Sequence, residues 1–155
     1  MTKKVLLNHD ASHDRKYVGL EIKLNEYFYF IPLSSPDPSD YDKSKKVKKS
    51  IIPIFRLKNT KGEFLSKLLL NNMIPVPTSE LLYYDVRKET NENYRNLVLA
   101  ELRDIQRNYN KICKNAKVLY RQKKKDLPIG YLKATVDFGQ LEKAYDIFIN
   151  NTHQD

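Results

Sequence analysis

Two adjacent alcohols, Ser34 and Ser35, end the apolar run Tyr27-Phe28-Tyr29-Phe30-Ile31-Pro32-Leu33 and are followed at once by Pro36. The chain around them is basic. Arg15 and Lys16 precede the neighbouring alternating segment, and five of the seven residues from Lys43 to Lys49 are lysine: Lys43, Lys45, Lys46, Lys48 and Lys49. Hydroxyls flanked by cations suit cleavage of RNA, whose ribose 2′-OH is a built-in nucleophile. A protein must then supply a group that takes or positions the 2′-OH proton, a cation for the charge growing on the phosphate, and a donor for the departing 5′-oxygen. Ser34 and Ser35 could position or donate. Arg15, Lys16 and Lys43 could neutralise charge, and His13 could shuttle a proton because imidazole titrates near neutrality.

Each residue also has a plainer reading. A Ser-Ser-Pro at a strand exit commonly forms a turn that satisfies its own backbone. Arg15 and Lys16 could be edge charges, and a histidine in a polar N-terminal segment is more often simply exposed. Tyr17, Tyr27 and Tyr29 could stack on bases or pack within strands. Other chemistries find less support. None of the four glycines falls in a phosphate-cradling loop, so nucleotide-binding fingerprints are absent. Three histidines and one cysteine disfavour a structural zinc site, and His9 and His13 are four apart outside any helical pattern. Neither a metal nor a cofactor is expected.

The totals agree with a polyanionic partner. In 155 residues there are 28 Lys and Arg against 19 Asp and Glu, a formal charge of +9, together with eleven tyrosines. Neutralising phosphates releases counterions, which makes nucleic acid the natural partner of such a surface. The length suits one domain with a real core. The sole cysteine, Cys113, excludes an internal disulfide and suits a reducing cytosol. There is no run of 18 apolar residues, so no membrane span is expected, and the N-terminus turns polar too early for a signal peptide.

Several elements must position these groups. Val5-Leu6-Leu7 can begin a short strand. From Tyr17 to Leu24 the pattern alternates, with Tyr17, Gly19, Glu21 and Lys23 on one face and Val18, Leu20, Ile22 and Leu24 on the other. Asn25-Glu26 makes a two-residue connection to Tyr27–Leu33, a strand expected to be covered on both faces. Residues 37–50 read as a loop. Ile51–Leu57 reads as a strand with Pro53 hinting at an edge or bulge, Asn59–Gly62 as a turn, and Phe64–Leu70 as a strand. Met73–Pro77 is extended, and Leu81–Val86 reads as another strand. From about Asn91 the apolar period becomes helical: Val98, Leu102, Ile105, Tyr109, Ile112, Ala116 and Leu119 form one stripe. Arg95, Arg103 and other cations lie on the remaining faces, and Lys123–Lys125 suit the helix end. The stripe fits a helix crossing a sheet, with coiled-coil assembly as the rival reading. Tyr131–Val136 reads as extended or loop-like. Asp137 with Gln140 has capping-box spacing for a last helix, whose buried face would be Leu141, Tyr145, Phe148 and Ile149. Strands first and helices late predict an α+β domain, residues 1–155, with an antiparallel sheet.

Several segments, in this order, give the chain a family resemblance. Arg15-Lys16-Tyr17-Val18-Gly19-Leu20, Phe30-Ile31-Pro32-Leu33-Ser34-Ser35-Pro36 and Asn72-Met73-Ile74-Pro75-Val76 come first. Tyr94-Arg95 with Leu99 and Leu102, and Phe138 to Phe148, follow. Together they resemble the ToxN/AbiQ family of endoribonuclease toxins from type III toxin–antitoxin systems, most nearly its CptN-like branch. The resemblance implies a compact, strongly twisted antiparallel sheet surrounded by helices, similar to the Kid/MazF toxin fold. It implies metal-independent cleavage of cellular or phage RNA to 2′,3′-cyclic phosphate ends, in the bacterial cytoplasm. It also implies an RNA antitoxin, a short pseudoknotted repeat held with the toxin in a closed alternating assembly, and no protein antitoxin. Ser35 matches the family's essential serine, Ser34 the hydroxyl before it, and Arg15 the basic residue ahead of the glycine strand. Lys16, Tyr17, Lys43, Lys45, Lys46, Lys48, Lys49, Arg95 and Arg103 are the expected RNA-binding residues. Several relatives carry lysine directly after the Ser-Pro, where this chain has Asp37, a group that would repel phosphate. The rival function is a non-catalytic RNA-binding module using the same charge and tyrosines.

Overall fold

The computed structural model describes residues 5–9 and 16–152, with residues 5–9, 16 and 17 described by backbone alone. The chain forms strands β1 (Val5–His9), β2 (Lys16–Leu24), β3 (Tyr27–Ser34), β4 (Ile54–Lys58), β5 (Phe64–Leu69), β6 (Ile74–Pro75) and β7 (Leu82–Tyr83), then helices α1 (Glu92–Lys124) and α2 (Phe138–Thr152). All pairings are antiparallel, in the order β4-β5-β3-β2-β1-β7 with β6 also on β3. The α+β arrangement read from the sequence is therefore present.

β3 is the hub. Its first part pairs with β2 from Leu24↔Tyr27 to Gly19↔Pro32, and its last two residues pair with β5 as Leu33↔Leu68 and Ser34↔Lys67. Asn25 takes φ 55, the left-handed conformation that a two-residue hairpin demands and asparagine tolerates. Alternation places Leu20, Ile22, Leu24, Tyr29 and Ile31 in the main core. Phe30 is buried on the other face with Val76 and Leu81, so β3 is covered on both sides as expected. Gly19 is required by this packing. A Cβ there would lie 2.3 Å from the Ile31 carbonyl oxygen and 2.5 Å from the Phe30 ring. Gly19→Ala is expected to destabilise the chain by about 1–3 kcal/mol through overpacking, read as a lower midpoint in urea unfolding with an unchanged slope.

Helix α1 starts at the cap Asn91, whose side chain accepts from the Tyr94 amide at 3.0 Å. Its stripe buries Val98, Ile105, Ile112, Ala116 and Leu119, with Leu102 and Tyr109 half-buried. That stripe is spent on the chain's own sheet, which removes the coiled-coil reading. The same face carries Glu101, 5% exposed, whose carboxyl is pushed up to about 7 by burial.

Other expectations need correction. Only Leu82–Tyr83 of the segment Leu81–Val86 is strand, because Asp85 caps a 3₁₀ turn at Val86–Lys88. Residues 131–134 are not extended, since Gly130–Ala134 is a 3₁₀ helix, and the chain becomes extended again at Thr135. Asp137 does cap α2, accepting from the Gln140 amide at 3.1 Å. The residues that α2 buries fully are Phe138 and Glu142, while Phe148 is 45% exposed. Phe138 stacks on Tyr120 and Glu142 accepts from the Tyr120 hydroxyl, so one tyrosine of α1 fixes the helix's rotation. Among the described residues, no helix is long and apolar enough to cross a membrane.

Candidate active site

β3 delivers the two serines to the rim of the sheet. Ser34 is its last residue, half-buried opposite Lys67, and Ser35 is exposed just beyond. The Ser34 hydroxyl lies 3.5 Å from the Ser35 carbonyl oxygen, a loose contact. The Ser35 side chain has no hydrogen-bond partner among the described residues and faces solvent. Pro36 then turns the chain, and Asp37 caps a short 3₁₀ helix at Pro38–Asp40 through a reciprocal capping box.

Asp40 holds the corner together. It is fully buried, and its Oδ1 accepts from Arg56 Nε at 3.0 Å and Nη2 at 2.9 Å. Its Oδ2 accepts from Lys67 Nζ at 2.7 Å and from the Asp37 amide at 2.9 Å. Lys67 Nζ also donates to Asp37 Oδ2 at 2.7 Å. Register explains the convergence: Ser34 pairs with Lys67 and Lys67 with Arg56, so the three line one face across three strands. The four charges sum to zero. Asp37 thus does not present the unpaired negative charge that its position suggested. Lys67, then Ser39, hold its carboxyl down at about 2. Burial works against ionisation of Asp40, yet Lys67, the Asp37 amide and Arg56 outweigh it, and its pKa falls. Lys67 is likewise penalised by burial and raised overall by its two carboxylates.

The lysine segment is a folded loop. Asp42 Oδ1 accepts from the amides of Ser44 at 2.8 Å and Lys46 at 3.0 Å, and Lys45 takes φ 62. Tyr41 bridges Val47, and the Lys48 amide donates to the Asp40 carbonyl at 2.8 Å. Arg56 Nη1 closes the far side on the Lys49 carbonyl at 2.8 Å. The backbone is therefore tied to the charge cluster while Lys43, Lys45, Lys46, Lys48 and Lys49 all face solvent, in no ion pair among the described residues.

The other expected residues are placed as follows. His13 and Arg15 lie outside the described residues. The backbones of Lys16 and Tyr17 begin β2, paired with His9 and Asn8 of β1. β2 pairs with β3 as far as Gly19↔Pro32, and the last two residues of β3 pair with β5 instead. Arg103 is exposed on α1, whereas Arg95 is half-buried and donates to the Glu89 carbonyl at 3.0 Å. Tyr27 and Tyr29 are packing residues: Tyr29 is fully buried against Tyr120 and Phe138, and Tyr27 bonds Asp146 and meets Tyr145 edge-on. Sequence reasoning missed Asp40, Arg56 and Lys67. The signal was slight: Arg56 stands between the core residues Phe55 and Leu57, and Lys67 directly before the core residue Leu68, so each cation interrupts an apolar strand run on the face opposite the main core.

Comparison with known proteins places this geometry. The family model for toxin ToxN of type III toxin–antitoxin systems matches residues 1–146. Endoribonuclease ToxN of Bacillus thuringiensis subsp. kurstaki is 31% identical over 120 residues, an alignment covering 76% of this chain and 58% of that protein. The chain thus spans less than two thirds of the length of that relative. Endoribonuclease AbiQ of Lactococcus lactis subsp. lactis is 35% identical over 137 residues, covering 85% of this chain and 72% of that protein. The solved structure of AbiQ, a lactococcal anti-phage endoribonuclease of a type III system, superposes with a TM-score of 0.76 at 28% identity, over 97% of this chain and 99% of its own. A type III toxin that is selectively inhibited by a non-coding RNA pseudoknot gives 0.69 at 27% identity, over 91% and 83%. The chain belongs to the ToxN family of type III toxin–antitoxin toxins.

Proposed function

We infer that the chain is an endoribonuclease toxin that cleaves RNA without metal and leaves 2′,3′-cyclic phosphate ends. One observation carries this. Ser35 is solvent-facing and without a hydrogen-bond partner among the described residues, on a corner whose acids are already neutralised and whose folded loop carries five lysines that form no ion pair among the described residues. Ser35 contacts the reacting phosphate or the 2′-OH, with Ser34 supporting it. Arg15 stabilises charge in the transition state and His13 moves a proton. Lys43 to Lys49 hold the RNA backbone, with Lys16 and Tyr17 alongside. The relatives named endoribonucleases, and the one inhibited by an RNA pseudoknot, support a pseudoknotted repeat RNA as the antitoxin. The toxin would hold it in a closed alternating assembly in the bacterial cytoplasm, with no protein antitoxin.

The test is digestion of a long RNA by purified protein in excess EDTA, followed by end analysis. Discrete fragments with cyclic phosphate ends are expected. Intact RNA that is nonetheless bound would leave a non-catalytic RNA-binding module in its place. Fragments only after divalent metal is restored would overturn the metal-independent chemistry.

A further inference from the structure

Tyr27 and Tyr29, two of the rings that could have stacked on bases, are spent on packing. Four aromatic rings are exposed among the described residues: Tyr41, Tyr83, Tyr94 and Phe148. Tyr83 lies in β7, Tyr94 in the first turn of α1 and Phe148 in α2. Only Tyr41 belongs to the loop between β3 and β4, the loop that carries the five lysines.

The loop uses only part of this side chain. The Tyr41 ring meets half-buried Phe64 edge-on, with centroids 6.2 Å apart and planes at 77°. An edge-on contact engages at most one face of a ring. Tyr41 is 39% exposed, and its hydroxyl is in no hydrogen bond among the described residues. The backbone beneath it is nevertheless fixed. Asp40, the residue before, is locked by Arg56 and Lys67. The Tyr41 amide donates to the Pro38 carbonyl at 3.3 Å, and Tyr41 bridges Val47. The Asp42 amide, next along, donates to the Lys46 carbonyl at 2.8 Å. A ring held in place before a ligand arrives costs little further ordering when it binds.

Tyr41 is also tied to the serine corner. Lys67, which bonds Asp40, is the cross-strand partner of Ser34. Tyr41 stands six positions after Ser35. Even a fully extended chain would separate them by no more than about 20 Å, and the 3₁₀ turn at Pro38–Asp40 shortens that path. A stacked strand of RNA advances about 3.4 Å per nucleotide, so about six nucleotides span the gap.

We propose that Tyr41, backed by Phe64, is a stacking platform for one unpaired base of the substrate strand, within about six nucleotides of the cut. The proposal rests on the nuclease reading for the cut that it flanks. The division of labour is chemical. Lysines hold phosphates and are blind to bases, whereas an aromatic face binds any base through its π surface. Tyr41 therefore sets which part of a strand lies over Ser35 by gripping a base, which the five lysines cannot do. Because the tyrosine hydroxyl bonds nothing, the ring alone carries the contact, and phenylalanine can replace it. Leucine keeps an apolar contact with Phe64 but offers no π face. A residue that merely staples the loop to Phe64 would tolerate both.

The experiment uses the full chain. In the Ser35→Ala background, where RNA stays intact, Tyr41→Trp installs the sole tryptophan of a chain that has none. It is titrated with a 12-nucleotide oligoadenylate and with the abasic ribose–phosphate strand of the same length, while filter binding follows occupancy of both. Tryptophan emission is expected to be quenched by the oligoadenylate and not by the abasic strand, although the phosphates are equal in number. In the same background Tyr41→Leu should lose about tenfold in affinity for the oligoadenylate and nothing for the abasic strand, and Tyr41→Phe should recover the loss. Circular dichroism confirms that each variant folds. Equal quenching by the two strands overturns the platform, as does a folded Tyr41→Leu protein that binds oligoadenylate as tightly as tyrosine does. With Ser35 restored, Tyr41→Leu should raise the protein concentration needed for half-maximal single-turnover cleavage and leave the saturated rate unchanged, the mark of lost uniform binding. A chain with Ser35 and Tyr41 intact that binds RNA without cutting it would strike the nuclease reading, while the fluorescence result would still decide the stacking.

Discussion

Ser35→Ala is expected to lower RNA cleavage by about 10²–10³-fold, the usual effect of removing one donor that acts on developing charge. Its effect on stability should stay within about 0.5 kcal/mol. The two halves of that expectation come from the same geometry. Ser35 lies outside the sheet, exposed, and its hydroxyl bonds nothing among the described residues. No hydrogen bond among the described residues is lost with it, so a loss of activity with stability intact points to contact with substrate. Ser34→Ala is the informative comparison. Ser34 is half-buried in the pairing with Lys67, and its hydroxyl reaches only the Ser35 carbonyl at 3.5 Å. Its variant should be milder in rate and no milder in stability. Cleavage of a labelled RNA under single-turnover conditions, alongside urea unfolding, separates the contributions. A Ser35→Ala protein that cuts at the wild-type rate would remove the serine corner from the chemistry. A large loss of stability would make the serine structural.

What the sequence disclosed about this corner, and what it hid, divides along a physical line. Periodicity is local, and it placed β2, β3, β5 and α1 because each has a buried face whose spacing repeats. The serine corner was legible because the apolar run of β3 ends abruptly at two hydroxyls and a proline. Charge pairing is not local. Asp40 meets Lys67 across 27 positions and Arg56 across 16. Nothing in the run Asp37-Pro38-Ser39-Asp40 says that both acids will be neutralised from β4 and β5. Read along the chain, Asp37 is an unwelcome anion beside a phosphate site. Read across the sheet, it is one arm of a clamp. The short 3₁₀ turns at Val86–Lys88 and Gly130–Ala134 were missed for a related reason. They are too brief to show a period, and tertiary contacts set their ends. On α2 the expected stripe holds in part: Leu141, Tyr145 and Ile149 are half-buried, but the helix turns so that Glu142 meets Tyr120 of α1 and Phe148 is left exposed.

The clamp itself gives the largest expected change in stability. Asp40→Ala should cost about 3–5 kcal/mol, because it takes the carboxylate from buried Arg56 and leaves buried Lys67 with Asp37 alone, both cations having side chains only 5% exposed. Truncating one member of such a cluster is far worse than deleting an exposed ion pair, which contributes at most about 1 kcal/mol. Arg87–Asp85, with the arginine 87% exposed, supplies that control. Asp40→Asn keeps the shape and the hydrogen-bond acceptor but not the charge, and should fall between the two. The pH dependence identifies the cause. Asp37, held at about 2, and Asp40, also lowered, have folded pKa values below their unfolded ones. Their stabilisation is complete above pH of about 4 and is lost as pH falls through the folded values. Lys67 is raised, so its share persists to the unfolded lysine range near 10 and fades only above it. The wild type and Asp40→Ala should therefore differ by a constant amount across neutral pH and converge as pH drops towards 2. Urea unfolding of both proteins at pH 7, 4 and 2.5 reads this directly. A gap below about 1 kcal/mol at neutrality, or one that does not narrow in acid, would show that the corner is held by its backbone turns instead. If the gap behaves as expected, Ser35 is presented by electrostatics buried beneath it, and RNA cleavage by Asp40→Ala should fall with stability even though Asp40 never meets solvent or substrate.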